Sequence, residues 1–208
     1  MKYDPKIHHR KSIRLRGYDY SQAGLYFITI CTQNRRHLFG EIVGADSISA
    51  HDSIILNHAG KMIEQIWYEI HNDFDNTQLH EFVIMPNHIH GIIEIPVGVD
   101  SISAQISTPN RAEKDSAPTL SDIVQSFKRH STIKYITMVK QHILPPFDKR
   151  IWQRNYWEHI IRNENEYERI AQYIMGNPAK WEQDKLNGGS GNHVMESPAR
   201  YNNEEWMI

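Results

Sequence analysis

Residues 82–95 read FVIMPNHIHGIIEI. Two runs rich in apolar and β-branched residues flank Pro86-Asn87, a pair suited to a tight connection, so the segment predicts central antiparallel strands over 78–85 and 88–95. Residues two apart on a strand share a face. His88 and His90 therefore point the same way while Ile89 points into the opposite layer. Histidine is the commonest metal-binding side chain, so both imidazoles can reach one ion. The same pattern fits two hydrogen-bonded or solvent-facing histidines, and the chain holds 13 His.

Working outward, GLYFITICTQ at 24–33 alternates imperfectly and predicts the first core strand, with HLFGEIV at 37–43 as its hairpin return and 53–56 as a further short strand. Asn57 can cap a helix reaching to about residue 71. Its stripe, Ala59, Met62, Ile63, Ile66, Trp67 and Ile70, should lie on the sheet. Thr119 can cap a second helix with the stripe Leu120, Ile123, Val124 and Phe127. Lys128 and Arg129 fall nearer its opposite side, which can face phosphate.

Asn163 with Glu166 has the spacing of a capping box for a third helix, stopped by Gly176-Asn177-Pro178. Tyr167, Ile170, Ala171 and Ile174 form its core stripe. Tyr173 sits on the flank, and Asn177 follows four residues later, so both can project toward one place. A boundary tyrosine and a helix-ending asparagine fit the same spacing. Tyrosine is a poor nucleophile at its free pKa of about 10. A divalent cation that polarises a phosphate would make a nearby tyrosine competent for phosphoryl transfer.

The 208 residues are 39% hydrophobic and 23% charged, the composition of one globular domain. Cys31 is the single cysteine, so a disulfide framework and a Cys-based zinc finger are excluded, and the cytoplasm is the expected compartment. No apolar stretch is long enough for a membrane span, and the basic start lacks the apolar region of a signal peptide.

A net charge of −2 ordinarily argues against nucleic-acid binding. The average hides a gradient, because Lys2, Lys6, Arg10, Lys11, Arg14 and Arg16 face a lone Asp4 in the first 16 residues. The octapeptide VGADSISA at 43–50 recurs as VGVDSISA at 97–104, too short a repeat for a solenoid and read as a pair of surface insertions. The expected organisation is a basic arm at 1–20, a domain at 21–185 with insertions near 43–52 and 97–118, and a flexible tail at 186–208.

RRHLFGEI at 35–42, the 82–95 segment, WQRNYWEHIIRNENEYERIAQYIMGNPAKW at 152–181 and SIRLRGYDYSQAGLYFITICTQNR at 12–35 together resemble the REP-associated tyrosine transposases. These are domesticated relatives of the single-tyrosine HUH transposases of insertion sequences. The similarity runs from about residue 10 to residue 185, leaving out the two insertions. It implies an α+β, ferredoxin-like (RRM-like) antiparallel sheet with helices packed on one face, the histidines on a central strand and the catalytic Tyr on a C-terminal helix. In this likeness His88 and His90 bind a divalent metal, Mg or Mn, and Tyr173 is the nucleophile. Asn177 falls where relatives carry a polar third metal ligand.

The implied activity is metal-dependent nicking and joining of single-stranded DNA at hairpins of repetitive extragenic palindromes, through a 5′-phosphotyrosine. Arg10, Lys11, Arg14 and Arg16 would track the hairpin backbone, and Lys128, Arg129, Arg150 and Arg154 would line the DNA path. Trp152 and Tyr156 would stack unpaired bases, and His159 would contact phosphate or orient a ligand. A solvated basic surface and buried loop anchors are the plain alternatives for these residues. The competing function is a non-catalytic hairpin DNA or RNA binder on the same fold. The likeness admits a monomer or a homodimer.

Overall fold

A computed structural model of the chain describes residues 17–43, 53–75, 77–96 and 118–187. Arg10, Lys11, Arg14 and Arg16, and most of both insertions, lie outside the described residues. The elements below belong to the unit Tyr20–Gly191.

Strands β1 (Gly24–Cys31), β4 (Gln78–Met85), β5 (His88–Ile95) and β6 (Trp157–Ile161) form one antiparallel sheet in the order β4-β5-β1-β6. Helix α1 (His58–Tyr68) and the short α2 (Ile70–Asp73) lie in the connection from β1 to β4, and α3 (Leu120–Lys140) lies in that from β5 to β6. A last helix, α4 (Glu164–Gly176), follows β6. The chain is thus α+β, with β5 and β1 buried in the middle of the sheet.

Caps set the helix starts. Asn57 accepts a hydrogen bond from the Gly60 N–H at 3.0 Å, and Thr119 forms a reciprocal capping box with Asp122. Asn163 accepts from the Glu166 N–H at 2.9 Å. The Glu166 carboxylate turns instead to the Arg162 N–H and to His159, so only half of the expected box forms.

The register places Phe27, Thr29, His88, His90 and Ile92 on one face, and Ile28, Ile30, Ile89, Gly91 and Ile93 on the other. Trp67 of α1 covers the second face, stacking on Phe82 at 5.3 Å and meeting Phe127 of α3 edge-on at 5.8 Å. Helix α4 lies on the first face, against the histidines. The expectation of helices on one face is therefore corrected. Each face of β1 and β5 buries its own apolar row, and each row needs cover.

The hairpin return expected for β1 also differs. Leu38 and Phe39 donate to the Pro86 carbonyl at 2.8 and 3.1 Å, which draws this run across the β4–β5 turn. The residues beyond it form β2 (Gly40–Val43), which pairs with β3 (Ser53–Leu56) in a separate two-stranded sheet.

Close packing makes Gly91 obligatory. A Cβ there would lie 2.5 Å from two ring carbons of Trp67. Gly91→Ala is expected to destabilise the chain by about 1–3 kcal/mol, read as a fall of several degrees in the thermal midpoint, because the indole must leave its stack.

Candidate metal and tyrosine site

His88 is fully buried and His90 is 2% exposed. Their Nε2 atoms lie 3.0 Å apart, so the shared strand face brings the rings together as the spacing predicts. Thr29, the partner of His90 across β1, places Oγ1 2.7 Å from His90 Nδ1. A hydroxyl can accept from that nitrogen, which leaves His90 free to present a bare Nε2.

Burial pushes the His90 pKa down to about 3. His88 is also held well below its ordinary value, first by burial and then by the charges of His90, Arg35 and His37. Folding therefore favours neutral rings. With folded pKa values depressed below 6.5, their contribution to stability is complete above pH 6.5 and is lost as the pH falls toward 3. The metal-free chain should lose thermal stability over that window, and His88→Asn/His90→Asn should flatten the loss; equal slopes would contradict this.

Tyr173 comes from α4. Its hydroxyl lies 3.4 Å from His90 Nε2, and its ring meets those of His90 and Phe27 at 5.3 and 6.1 Å. Burial and the Asp184 charge push its pKa up to about 12, against a hydrogen bond from Asn177 that works downward. Asn177 is 3% exposed and its Oδ1 has no hydrogen-bond partner. The Tyr173 and Asn177 side chains do converge.

Asp184 was missed by the sequence reading. After α4 the chain continues through Asn177, in helical geometry, into a 3-10 helix at Pro178–Gln183 that Asp184 terminates. This brings Asp184 Oδ2 to 3.7 Å from His88 Nε2. One ligand atom each from His88, His90 and Asp184 lies within 4.8 Å of the other two. Burial raises the Asp184 pKa, while the Leu186 N–H, Asn177 and Arg35 act in the opposite sense. A carboxylate near histidine pairs is a frequent metal donor, but sequence separation and the intervening proline concealed this one.

The donor set fits a divalent cation. Asp184 Oδ2 and Asn177 Oδ1 are buried oxygens without hydrogen-bond partners, and the Asp184 carboxylate lies within 4.8 Å of a ring nitrogen of each histidine. Buried acceptors that converge without a donor repel one another, and a cation is the group that satisfies them.

The remaining predicted residues divide by environment. Trp152 is 4% exposed, with its ring against Phe39 and Phe127 and its indole N–H donated to Ser131 Oγ at 2.9 Å. Tyr156 is also buried. Both are corrected from base-stacking residues to loop anchors, since neither offers a free ring face. Lys128 Nζ donates to the carbonyls of Gln153 and Asn155, each at 3.0 Å, and so organises the loop before β6. Arg129, Arg150 and Arg154 are exposed. His159 is bonded to Glu166 at 2.7 Å and lies across the sheet from Phe27. Its ring is tied to α4.

The chain is held beyond the expected boundary at residue 185. Asn87 Nδ2 donates to the Leu186 carbonyl at 2.7 Å, and the His37 ring donates to that of Asn187 at 3.1 Å. Among the described residues, no helix is long and apolar enough to cross a membrane.

Two imidazoles on a central strand, a nearby carboxylate and a phenol on the facing helix define a candidate metal-and-tyrosine centre on an antiparallel α+β sheet. No family model matches the sequence. An uncharacterized protein of Haemophilus influenzae is 42% identical over 188 residues, 89% of this chain and 97% of its own length. The REP-associated tyrosine transposase of Escherichia coli is 24% identical over 161 residues, 77% of this chain and 70% of that protein. A putative REP-associated tyrosine transposase of H. influenzae is 24% identical over 162 residues, 78% of this chain and 74% of that protein. The solved structure of a REP-associated tyrosine transposase bound to a REP hairpin aligns over 90% of this chain and 86% of that one, with 22% identity and a TM-score of 0.47. The chain thus resembles REP-associated tyrosine transposases in sequence.

Proposed function

We propose that the chain is a metal-dependent single-stranded DNA endonuclease and strand transferase, acting on hairpins of repetitive extragenic palindromes through a 5′-phosphotyrosine. The observation that carries this reading is the Tyr173 hydroxyl, 3.4 Å from His90 Nε2 of the same chain. The names of the E. coli and H. influenzae relatives point the same way. Helices in both crossovers and the strand order β4-β5-β1-β6 support a ferredoxin-like reading of the sheet.

His88, His90 and Asp184 would hold the cation, with Asn177 Oδ1 as a further oxygen. When bound, Mg²⁺ or Mn²⁺ polarises the scissile phosphate and lowers the cost of charge that builds on its oxygens. The Tyr173 oxygen attacks phosphorus in line, the bond from phosphorus to the 3′ oxygen breaks, and that oxygen takes up a proton as the phenol loses its own. Asn177 orients the phenol by its hydrogen bond. A phosphodiester enters as the Tyr173 hydroxyl gives up its contact with His90. Attack by a 3′-hydroxyl on the phosphotyrosine reverses the step and joins strands.

Both halves of the centre come from one chain, so a monomer suffices for this chemistry. Arg129, Arg150 and Arg154, which are exposed, would meet the DNA backbone, and Arg10, Lys11, Arg14 and Arg16 would contact the hairpin. The single cysteine, Cys31, is buried and in no disulfide, which suits the cytoplasm.

Incubation of the full chain with a labelled single-stranded hairpin oligonucleotide and Mn²⁺ tests the reading. A protein–DNA adduct that survives denaturation and disappears with chelator is expected. Binding without cleavage would favour the non-catalytic binder, and cleavage without an adduct would favour attack by water. Asp184→Ala should weaken Mn²⁺ binding at least about tenfold, and more than Asn177→Ala does, because it removes a charge as well as a donor; the reverse ranking would return the third position to Asn177.

A further inference from the structure

Asn87, in the turn between β4 and β5, is fully buried, and all its side-chain polar groups are engaged. Its Nδ2 donates to two main-chain carbonyls, Arg35 at 3.2 Å and Leu186 at 2.7 Å. Carbonyls only accept, so the amide cannot be flipped without setting oxygen against oxygen. Its Oδ1 is therefore the atom 2.7 Å from His88 Nδ1. That oxygen also only accepts, which requires a proton on His88 Nδ1. A neutral ring with its proton there has a bare Nε2, the nitrogen that faces His90 Nε2 at 3.0 Å and Asp184 Oδ2 at 3.7 Å.

The two donor bonds reach the other side of the same centre. Leu186 N–H donates to Asp184 Oδ1 at 2.6 Å, so the turn that carries the Leu186 carbonyl also holds the carboxylate. Arg35 sits in a tight loop where it and Asn34 adopt left-handed backbone, with φ of 51° and 58°. Non-glycine residues in this region are strained and persist where their surroundings hold them. The Arg35 carbonyl is bonded by Asn87, and its guanidinium donates to the Lys185 carbonyl at 3.1 Å. Asn87 thus joins the loop after β1, the histidine strand and the Asp184 turn.

We propose that Asn87 is a positioning residue with two separable parts: its oxygen fixes the tautomer of His88, and its amide hydrogens hold the turn that presents Asp184. The proposal rests on the metal-centre reading above. Asn87→Ala removes both parts, whereas Asn87→Asp keeps the acceptor for His88 and loses the donors to Arg35 and Leu186.

Imidazole ¹⁵N spectra of the metal-free full chain should show His88 protonated at Nδ1 in the wild type and in Asn87→Asp, and shifted toward Nε2–H in Asn87→Ala. Mn²⁺ titration should show affinity reduced about 10–100-fold in Asn87→Ala and by a smaller factor in Asn87→Asp. The Leu186 and Asn187 amides should exchange faster in both variants. If Asn87→Ala does not fold, Asn87→Asp still decides, since it must combine an unchanged tautomer with faster exchange and weaker Mn²⁺ binding. An unchanged tautomer in Asn87→Ala, or wild-type exchange in Asn87→Asp, would overturn the proposal. A wild-type chain that binds no Mn²⁺ would overturn the metal reading, while the spectra and exchange rates still decide the two parts played by Asn87.

Discussion

Tyr173→Phe is expected to abolish the denaturation-resistant adduct, with strand cleavage reduced at least about 10³-fold and hairpin affinity changed little. The substitution removes one oxygen and keeps the ring that packs against Phe27 and His90. Loss of a hydrogen bond with Asn177 should cost only about 1 kcal/mol, too little to unfold the domain. Tyr167 cannot serve instead. Its hydroxyl is donated to the Glu81 carboxylate at 2.7 Å and has His80 Nδ1 at 3.3 Å, whereas that of Tyr173 meets His90. Gel assays of adduct, cleavage and binding on one preparation check the result. Cleavage that survives in the variant would reassign the attacking group to water.

The second large effect is expected at the histidines. His88→Ala should lower Mn²⁺ affinity by more than about 100-fold and reduce cleavage to the level reached with chelator, since it removes a first-coordination donor and leaves Asn87 Oδ1 without the N–H it accepts. Hairpin binding should persist, because the basic residues assigned to the backbone lie on other segments. Calorimetric titration with Mn²⁺ and a parallel binding assay separate the two quantities. Equal loss of binding and cleavage would make His88 a structural residue. Mn²⁺ should bind more tightly than Mg²⁺, which prefers an all-oxygen shell.

What could be read from the sequence was local. The period of two put His88 and His90 on one face, the four-residue step brought Tyr173 and Asn177 together, and Asn57, Thr119 and Asn163 mark helix starts. Non-local facts were harder. Strand alternation shows that β5 has two faces but not which helix covers each, so the expectation of helices on one face did not anticipate α4 against the histidine face. Asp184 reaches the site through a 3-10 segment after Pro178, where helical periodicity no longer reports direction. Lys128 and Trp152 look like nucleic-acid contacts by residue type, yet loop carbonyls engage the first and the core buries the second. Chain folding brings partners to such residues from segments that carry no local pattern.

Linkage of DNA to the phenolic oxygen is most directly read by mass spectrometry. After reaction of the full chain with a hairpin oligonucleotide and Mn²⁺, digestion with nuclease and trypsin releases the peptide of residues 170–180, IAQYIMGNPAK. The prediction is a fraction of this peptide carrying a nucleotide through its 5′-phosphate on Tyr173. Cleaved DNA bearing a free 5′-phosphate, with the peptide wholly unmodified or the nucleotide on another residue, would contradict it.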